Sequence, residues 1–394
     1  SIDEAVYEHS ELEHALGESG VTVHRLKRYA VEISGHHPEL LERVREAVPR
    51  IVRYSGPREM VTQSRKALRR NLARFDAETL FNILLLRPSV RMERRAGARG
   101  ILPTVELDVP LANLYFMRDQ QALTAGGFVL GRMAKPQRRQ EPALTGALLR
   151  YAGARVAGEI RAPGTFEGGD FMPMGEFALL GTGDRTNASA VRQLLAMPTG
   201  FDEIGVVHQP AHPALPDDSP DPMIDMHLDT YFNVAGRGLA VGSEVLLKAA
   251  RVDRYRRRGG GRMVREAGSL SLFDFLRARR FEIVPLSSLE QMSYATNFLC
   301  LRDRRILAVE VERELDRVLA GVADAARRNP HRYRALLALA RREREELREG
   351  RGYFPHLAAL RDRGVEVLPL SLQEITGGYG GAHCMTCVLD RAAT

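Results

Sequence analysis

The sequence Val191-Arg-Gln-Leu-Leu195, followed after a break by Ile204-Gly-Val-Val-His208, predicts an amphipathic helix and then a short β-strand. The same order recurs in further copies, at residues 12–16 and 21–26, 144–149 and 154–157, 272–276 and 281–286, and 357–360 and 365–370. More strand-like runs lie between the copies, at residues 177–180, 299–301 and 306–309. Five such units predict an α/β fold. They fit an array of ββαβ modules around a centre, and the alternation alone fits a doubly wound sheet equally well.

Two helical segments interrupt this repeat. The first spans residues 38–87, where the apolar stripe Leu40, Val44 and Val48 predicts a helix and Ser55-Gly-Pro57 predicts a break before the next one. The second spans residues 312–351 and has outer faces dense in Arg and Glu. We therefore predict an α/β domain of residues 1–33 and 101–394, a helical bundle of residues 34–100 inserted into it, and a helical insertion at residues 312–351.

The composition limits the class of protein. With 44% hydrophobic and 27% charged residues, the chain of 394 residues resembles an ordinary soluble globular protein. Its apolar runs are shorter than the roughly 20 residues that span a bilayer, so no membrane partner is predicted. Three cysteines are too few for a disulfide framework, which favours a cytoplasmic protein. The net charge is +7, but the basic residues are mainly scattered arginines, so nucleic acid is not a predicted partner.

Five polar segments stand at strand edges or directly after a module. They are Asn113-Leu-Tyr-Phe-Met-Arg118-Asp119, Glu167-Gly-Gly-Asp170, Gly183-Asp-Arg185-Thr186, His227-Leu-Asp229-Thr230 and Gly380-Gly381-Ala-His383-Cys384-Met-Thr-Cys387. Because each comes from a different part of the chain, they can supply one site only if the modules bring them together.

Cys384 is the first candidate for chemistry. It follows a glycine-rich run, residues 377–381, that allows tight turns and a close approach to a ligand. A thiol there can act as a nucleophile, and a neighbouring cation would favour its thiolate. Taken alone, such a cysteine is more often a small apolar residue in a loop. Its Cys-x-x-Cys spacing to Cys387 also fits a redox pair or half of a zinc site, but only weakly, because a thioredoxin-like context and a second cysteine pair are lacking in the sequence.

The acidic residues of these segments suit a flat cation. A guanidinium is planar and always charged, so its site needs carboxylates in its plane, and Asp119 and Asp229 fit that need. In a strand, the spacing of His227 and Asp229 would place both on one face. Glu167 opens a turn in which glycines again permit close approach. Each residue alone has a common structural explanation, whereas the whole set favours a guanidinium site.

In this order the five segments resemble those of the arginine deiminases, within the guanidine-modifying (pentein) superfamily. The resemblance runs from near the start of the chain to its last residues. It implies a fivefold pseudo-symmetric α/β propeller of ββαβ modules with an inserted helical bundle. It also implies a cysteine-dependent hydrolase that converts arginine or an arginine derivative to a citrulline-type product and ammonia.

The resemblance further implies roles for individual residues. Cys384 is the expected nucleophile, His227 the acid and base, Asp119 and Asp229 the guanidinium ligands, and Glu167 an aid in binding and proton handling. The expected substrate-binding positions are Asn113, Arg138, Asp170, Arg185 and Tyr379. Neither a metal nor an organic cofactor is expected. The expected partner is the small-molecule substrate, and a homo-oligomer is compatible with the sequence.

The chain departs from the family pattern in several places. Tyr379 stands where an arginine that contacts the substrate carboxylate is usual, and Gln120 stands where proline is usual. The chain is expected to begin inside the first module, without the family's opening strand, and residues 312–351 replace a short loop. Losing one charged contact would cost about 1.5–3 kcal/mol of binding. The resemblance to the family makes free arginine the expected substrate, and the missing charged contact makes a modified or peptide-linked arginine the alternative.

Two other functions fit part of the pattern. An amidinotransferase has a similar cysteine segment but would deliver the amidino group to an amine. A non-catalytic arginine-binding or scaffold protein could keep the same motifs. The predicted helical bundle and His-Leu-Asp-Thr favour the deiminase over the transferase, and the intact set of reactive positions favours an enzyme over a scaffold.

Overall fold

The computed structural model describes residues 1–94, 101–217, 219–259 and 261–390. The end of the predicted bundle, residues 95–100, and the end of the predicted α/β domain, residues 391–394, therefore lie outside the described residues.

The α-helices of the described residues are given in chain order. They are α1 (Ile2–Glu18), α2 (Leu26–His36), α3 (Pro38–Ile51), α4 (Arg58–Asn71), α5 (Ala77–Leu86), α6 (Glu141–Tyr151), α7 (Ala188–Ala196), α8 (Glu244–Ala249), α9 (Leu272–Arg277), α10 (Ser288–Met292), α11 (Leu315–Arg328), α12 (Pro330–Glu346), α13 (Ala358–Arg361) and α14 (Gln373–Thr376).

The strands are short, as expected for a modular fold. They are β1 (Arg53–Ser55), β2 (Ser89–Arg94), β3 (Ile101–Glu106), β4 (Gln121–Thr124), β5 (Gly127–Leu130), β6 (Val156–Glu159), β7 (Phe171–Pro173), β8 (Ala178–Thr182), β9 (Glu203–His208), β10 (Phe232–Gly236), β11 (Leu239–Ser243), β12 (Arg251–Arg257), β13 (Met263–Ser271), β14 (Glu282–Leu286), β15 (Leu299–Arg302), β16 (Arg305–Val309) and β17 (Glu366–Leu370).

Packing divides the chain into two units. The α/β unit comprises Ser1–Thr22, Phe116–Ala134 and Val156–Thr394, and the helical unit comprises Val23–Tyr115 and Lys135–Arg155. The helical unit contains the predicted bundle but also takes in α2, β3 and α6. The domain boundaries at residues 33/34 and 100/101 stay a prediction.

Four sheets of the α/β unit share one topology. In each, two strands form an antiparallel hairpin, and a later strand joins the second of them in parallel. These sheets are β4-β5-β6, β7-β8-β9, β10-β11-β14 and β15-β16-β17. The hairpin of β12 and β13 extends the second sheet, because β12 pairs antiparallel with β9. The alternative of one doubly wound sheet is wrong, since the described strands form separate sheets within a mixed α/β fold.

Four of the predicted helix-then-strand units are confirmed. They are α6 with β6, α7 with β9, α9 with β14, and α13 with β17. In the first unit the helix is confirmed as α1, but the strand predicted at residues 21–26 is wrong. Residues 21–25 are irregular, and Leu26 already begins α2. The backbone N–H of Val21 instead donates to the carbonyl of Leu16 and closes the end of α1.

The helical unit confirms the helices expected in residues 38–87. In α3, Pro38 occupies the first turn, where its missing N–H costs nothing, and Leu40, Val44 and Val48 form the buried stripe. The predicted break at Ser55-Gly-Pro57 is the end of β1. Gly56 has a φ of +125°, and a Cβ there would clash with Met92, so this turn requires glycine.

The helices predicted for residues 312–351 are confirmed as α11 and α12, which we call the helical hairpin. Asn329 lies between them, and its side chain accepts a hydrogen bond from the backbone N–H of Arg332, which caps α12. Leu315, Val318 and Val322 are the buried residues of α11 and belong to the main hydrophobic core of the α/β unit. None of the helices in the described ranges combines the length and the apolar character needed to cross a membrane.

Candidate active site

Glu167 and His227 meet at the starts of two turns whose residues are mostly buried. Glu167 directly precedes the 3-10 turn Gly168–Asp170, and His227 precedes a second one, Leu228–Thr230. His227 Nε2 lies 2.9 Å from Glu167 Oε2, and both side chains are buried. The other oxygen of Glu167 accepts a 3.0 Å hydrogen bond from the backbone N–H of Ala134. The carboxylate is thereby fixed against one edge of the imidazole ring.

Gly169 allows these segments to approach each other. A Cβ at this position would lie 2.9 Å from the His227 ring and 3.0 Å from Asp229 Oδ1. Any larger residue would therefore displace the imidazole or the carboxylate. The close approach expected from the glycines of Glu-Gly-Gly-Asp is confirmed at this position.

The other edge of the His227 ring faces two aspartates. His227 Nδ1 lies 3.8 Å from Asp119 Oδ1 and 4.0 Å from Asp229 Oδ1. Burial opposes the charge of the ring, but Asp119 and the hydrogen bond to Glu167 outweigh it and raise the pKa of His227 to about 10. At neutral pH the side chain is an imidazolium that can donate a proton.

The geometry behind the pairing of His227 and Asp229 differs from the prediction. The two residues begin a 3-10 turn rather than lying on one face of a strand. The hydroxyl of Thr230 accepts a 3.1 Å hydrogen bond from the backbone N–H of His227 and stabilises the turn. The strand argument was wrong, although the turn brings both side chains to the same place.

Cys384 presents its sulfur to the same carboxylate. Its Sγ lies 3.7 Å from Asp229 Oδ2, and the side-chain amide of Asn297 donates to Sγ over 3.0 Å. The residue is only 6% exposed. Burial, followed by the charges of Asp229 and Asp119, raises the pKa of the Cys384 thiol well above its ordinary value. Without a bound cation, the sulfur is therefore a neutral thiol.

Asp229 lies between the thiol of Cys384 and the imidazolium of His227 and is close to both. Its Oδ2 lies 2.7 Å from His383 Nδ1. Burial alone would raise the pKa of Asp229, but the hydrogen bond with His383 and the charge of His227 lower it, so the carboxylate is ionised. Its buried Oδ1 has no hydrogen-bond partner among the residues that the structure describes. A buried acceptor in that state favours a ligand that brings an N–H donor.

The loop that carries Cys384 is anchored at both ends. Before it, the Glu8 carboxylate of α1 accepts hydrogen bonds of 3.0 Å from the backbone N–H groups of Glu374 and Ile375 at the start of α14. At its other end, at the cysteine itself, the backbone N–H of Arg118 donates to the carbonyl of Cys384 over 3.0 Å. Because Arg118 precedes Asp119, this bond sets the cysteine beside the aspartate segment.

The sequence profile of the arginine deiminase family matches residues 1–391. This chain belongs to the arginine deiminase family. Curated arginine deiminases are similar to it: that of Halobacterium salinarum is 27% identical over 354 residues, covering 73% of this chain and 66% of the relative. That of Limosilactobacillus reuteri is 25% identical over 297 residues, covering 72% of this chain and 62% of the relative. The chain thus spans less than two thirds of the length of these arginine deiminases.

Solved structures also resemble the chain. One is DDAH from Pseudomonas aeruginosa complexed with citrulline, with a TM-score of 0.42, 19% identity, and coverage of 70% of this chain and 76% of that chain. Another is the product-bound N-terminal domain of an arginine dihydrolase from the ornithine–ammonia cycle in cyanobacteria. Its TM-score is 0.43 at 15% identity, with coverage of 76% of this chain and 78% of that chain.

The residues that the arginine deiminase motifs single out fall into two groups. Cys384, His227, Glu167, Asp119 and Asp229 meet in the α/β unit, as described above. Arg185 lies beside them, with Nη1 3.8 Å from Glu167 Oε2.

The second group comprises Asn113, Arg138 and Tyr379, each described within its own unit. Asn113 and Arg138 belong to the helical unit, where Arg138 Nη2 donates to the carbonyl of Asn113 over 3.3 Å and pairs with Glu141 at 2.9 Å. Tyr379 is 51% exposed and has a φ of +70° in the loop before Cys384. The carboxylate-binding roles of these residues stay predictions.

Asp170 supports the site instead of facing it. Its oxygens accept a 2.6 Å hydrogen bond from the Thr186 hydroxyl and a 3.0 Å hydrogen bond from the backbone N–H of Leu228. The second bond fixes the residue next to His227. Burial raises the pKa of Asp170 to about 6. This geometry favours a positioning role over the substrate contact that the sequence suggested.

Two residues of the site were missed by the sequence analysis. His383 is adjacent to Cys384 within the quoted motif, so its position was a usable signal for its contact with Asp229. Asn297 lies two residues before the start of β15, and its local sequence carries no catalytic pattern. Only the folded chain brings its amide to the sulfur of Cys384.

Asp119, Glu167 and His227 also form a candidate metal-binding group. One ligand atom from each lies within 4.8 Å of the others. Two carboxylates and an imidazole suit a divalent cation. However, the pKa of His227 is raised to about 10, so a metal would have to displace the proton of the imidazolium.

Proposed function

We propose that this chain is a cysteine-dependent hydrolase that attacks the guanidinium carbon of arginine or an arginine derivative and releases ammonia. The family match supports this activity. The observation that carries it is the arrangement around Asp229: a buried carboxylate with an unsatisfied oxygen stands between a thiol and an imidazolium. A planar cation with several N–H donors is the ligand that satisfies such a group.

Binding begins with charge neutralisation. Asp119 and Asp229 are both buried, and they hold the guanidinium beside Cys384. In such a site, electrostatic attraction is stronger than in water, because solvent screening is reduced. The two aspartates also define the plane in which the guanidinium carbon faces the sulfur.

The substrate itself activates the thiol. The charges of Asp229 and Asp119 are among the causes that hold the pKa of Cys384 high. A guanidinium bound between these carboxylates offsets their charge and lowers the pKa of the thiol. The thiolate is therefore formed mainly when a cationic substrate is present, and the proton of the thiol passes to solvent as that substrate binds.

The first half of the reaction forms a covalent adduct. The Cys384 thiolate attacks the guanidinium carbon and a C–S bond forms. His227 gives its proton to a terminal nitrogen, the C–N bond breaks, and ammonia leaves. A thiouronium-type adduct remains on the sulfur, and His227 is left neutral. Glu167 holds the ring in place throughout through the 2.9 Å contact.

The second half regenerates the enzyme. Neutral His227 accepts a proton from water as the water oxygen attacks the same carbon. The C–S bond then breaks, its electrons return to sulfur, and the hydroxyl proton of the intermediate passes to the sulfur, so that the neutral thiol is restored and a ureido product leaves. The sum is guanidinium substrate plus water to citrulline-type product plus ammonium, because the released ammonia takes up the proton that the thiol gave to solvent. This route uses only side chains of the chain.

Finer features are proposed with this function. The four sheets of shared topology are part of a fivefold pseudo-symmetric propeller, because they repeat one connection in chain order. Residues 34–100 are its inserted bundle. The protein acts in the cytoplasm, and a homo-oligomer is compatible with it. Asn113, Arg138 and Arg185 recognise the carboxylate of free arginine, whereas Tyr379 favours a substrate whose carboxylate is modified or peptide-linked.

The decisive experiment is a panel of free, N-modified and peptide-linked arginines, with released ammonia and products measured by mass spectrometry. We expect a ureido product and ammonia, and no product with Cys384→Ala. Cys300→Ala is the matched control, because Cys300 lies on β15 outside the site, and it should keep wild-type turnover. Ornithine together with a new guanidino compound would instead identify an amidinotransferase. Binding without turnover of any member would identify a scaffold.

A further inference from the structure

Asn297 holds the segment that carries the nucleophile. Its Oδ1 accepts hydrogen bonds from the backbone N–H of Gly381, at 2.7 Å, and from that of Cys384, at 3.0 Å. Its backbone carbonyl accepts a third, of 3.0 Å, from the N–H of His383. The side chain is only 3% exposed. A single buried residue thus binds the backbone of the cysteine and of the residues directly before it.

These contacts also fix which end of the amide faces the sulfur. Two backbone N–H groups point at Oδ1, and a reversed amide would place its NH2 group against them. The orientation with oxygen toward the backbone is therefore the one that satisfies all partners. Nδ2 must then point at Cys384 Sγ, which it reaches at 3.0 Å.

The sulfur otherwise faces negative charge. Asp229 Oδ2 lies 3.7 Å from it, and Asp229 and Asp119 both disfavour its thiolate. The amide of Asn297 acts in the opposite direction by donating to the sulfur. A hydrogen bond to an anion is stronger than one to a neutral atom, so this contact gains strength when the proton leaves.

We propose that Asn297 is a catalytic residue whose amide N–H stabilises the thiolate of Cys384, both when the sulfur attacks and when it leaves the adduct. The proposal rests on the proposed function for its kinetic consequences. Its effect on the sulfur is present with or without turnover.

The neighbouring residue Asn233 shows how the donor is held. Its side-chain amide donates hydrogen bonds of 2.8 Å to the carbonyls of Thr296 and Phe298, on either side of Asn297. The donor is therefore fixed before a substrate arrives, which removes the cost of arranging it during the reaction.

The test compares Asn297→Ala, Asn297→Asp and the control Asn187→Ala. Asn187 has the same bonding pattern as Asn297, because its amide donates to the carbonyl of Pro163 and its oxygen accepts from the N–H groups of Thr165 and Ala190. Alkylation of Cys384 by iodoacetamide is followed by mass spectrometry at a fixed pH below the pKa of the thiol. There the rate is proportional to the thiolate fraction.

Asn297→Ala should lower the alkylation rate and kcat about 10- to 100-fold, with KM little changed, because the donor to sulfur is lost while the aspartates remain. Asn297→Asp separates the donor role from a structural one. It keeps the two accepted hydrogen bonds but loses its proton at a lower pH than the thiol does. The thiol must then ionise beside a carboxylate, and the rate should fall at least as far as with alanine.

Two results would overturn the proposal. One is an alkylation rate in Asn297→Ala equal to that of the Asn187→Ala control. The other is an aspartate variant that alkylates and turns over like the wild type, which would show that only the accepted hydrogen bonds matter. If the alanine variant does not fold, the aspartate variant decides alone. Because alkylation needs no substrate, a failure of the proposed function would leave this measurement intact.

Discussion

His227 is positively charged at neutral pH because carboxylates surround a ring that burial alone would keep neutral. Asp119 and Glu167 contribute most to this effect and raise the pKa of His227 to about 10. The imidazole and the thiol of one cluster therefore differ in their charge before a substrate binds. In the proposed reaction, the imidazolium is already an acid before the substrate binds, whereas the thiol becomes a nucleophile only afterwards.

Glu167→Gln tests this arrangement. Glutamine keeps the shape of the side chain but removes its charge, so the pKa of His227 should fall by about one unit or more. Activity that requires the imidazolium is present below that pKa and is lost as the pH rises through it. In the wild type this loss occurs near the pKa of about 10, and in the variant it should begin at a lower pH. The measurement is kcat against pH, and an alkaline limb that does not move would contradict the assignment.

Residue types and their order predicted five polar side chains of the cluster, although His383 and Asn297 were missed. Residue types and their order did not predict in which direction each side chain points. Asp170 follows two glycines in a motif, yet its oxygens point inward to Thr186 and the backbone of Leu228. Asn297 has no signal in its own segment, since its role depends on the position of Cys384, 87 residues further along the chain.

Helices and strands were predictable where the apolar period was clear, as in α7 with β9 and α9 with β14. The prediction at residues 21–26 was wrong because β-rich composition forms a strand only if another strand pairs with it. The sequence did not decide between separate ββαβ modules and one doubly wound sheet. The alternation of helices and strands along the chain does not show which strands are hydrogen-bonded to each other.

The helical hairpin contacts segments that lead to both reactive residues. On α11, Arg317 Nη2 donates to the Thr376 hydroxyl over 2.7 Å, just before the loop of Cys384. On α12, the Tyr333 hydroxyl donates to Asp221 Oδ2 over 2.8 Å, in the segment before His227. The helical hairpin thus braces the segments that carry the two reactive residues.

Arg317→Met tests this brace. Arg317 also pairs with Glu314, which is buried and whose pKa is raised by that burial. Losing the guanidinium leaves a buried carboxylate without its cation, so the free energy of unfolding should fall by about 1–2 kcal/mol, moderated by the half-exposed arginine. Adding Glu314→Gln should recover part of this loss in thermal unfolding. Equal stability of the wild type and Arg317→Met would argue against the brace.

For the whole molecule, substrate binding and folding are coupled through the same carboxylates. In a Cys384→Ala background, which cannot turn over, arginine at about 100 times its Kd should stabilise the fold by about 2.7 kcal/mol. The melting temperature should rise by a few degrees. Adding Asp229→Asn should abolish most of this rise, because one of the two guanidinium ligands has lost its charge. Differential scanning fluorimetry measures both, and an undiminished rise would exclude Asp229 as a ligand.

Under the proposed function, the pair of buried aspartates has a consequence for the end of each catalytic cycle. They attract a cation, and the proposed hydrolysis turns that cation into a neutral urea. The attraction that held the reactant therefore vanishes with the reaction itself, so the enzyme needs no separate device to expel what it has made.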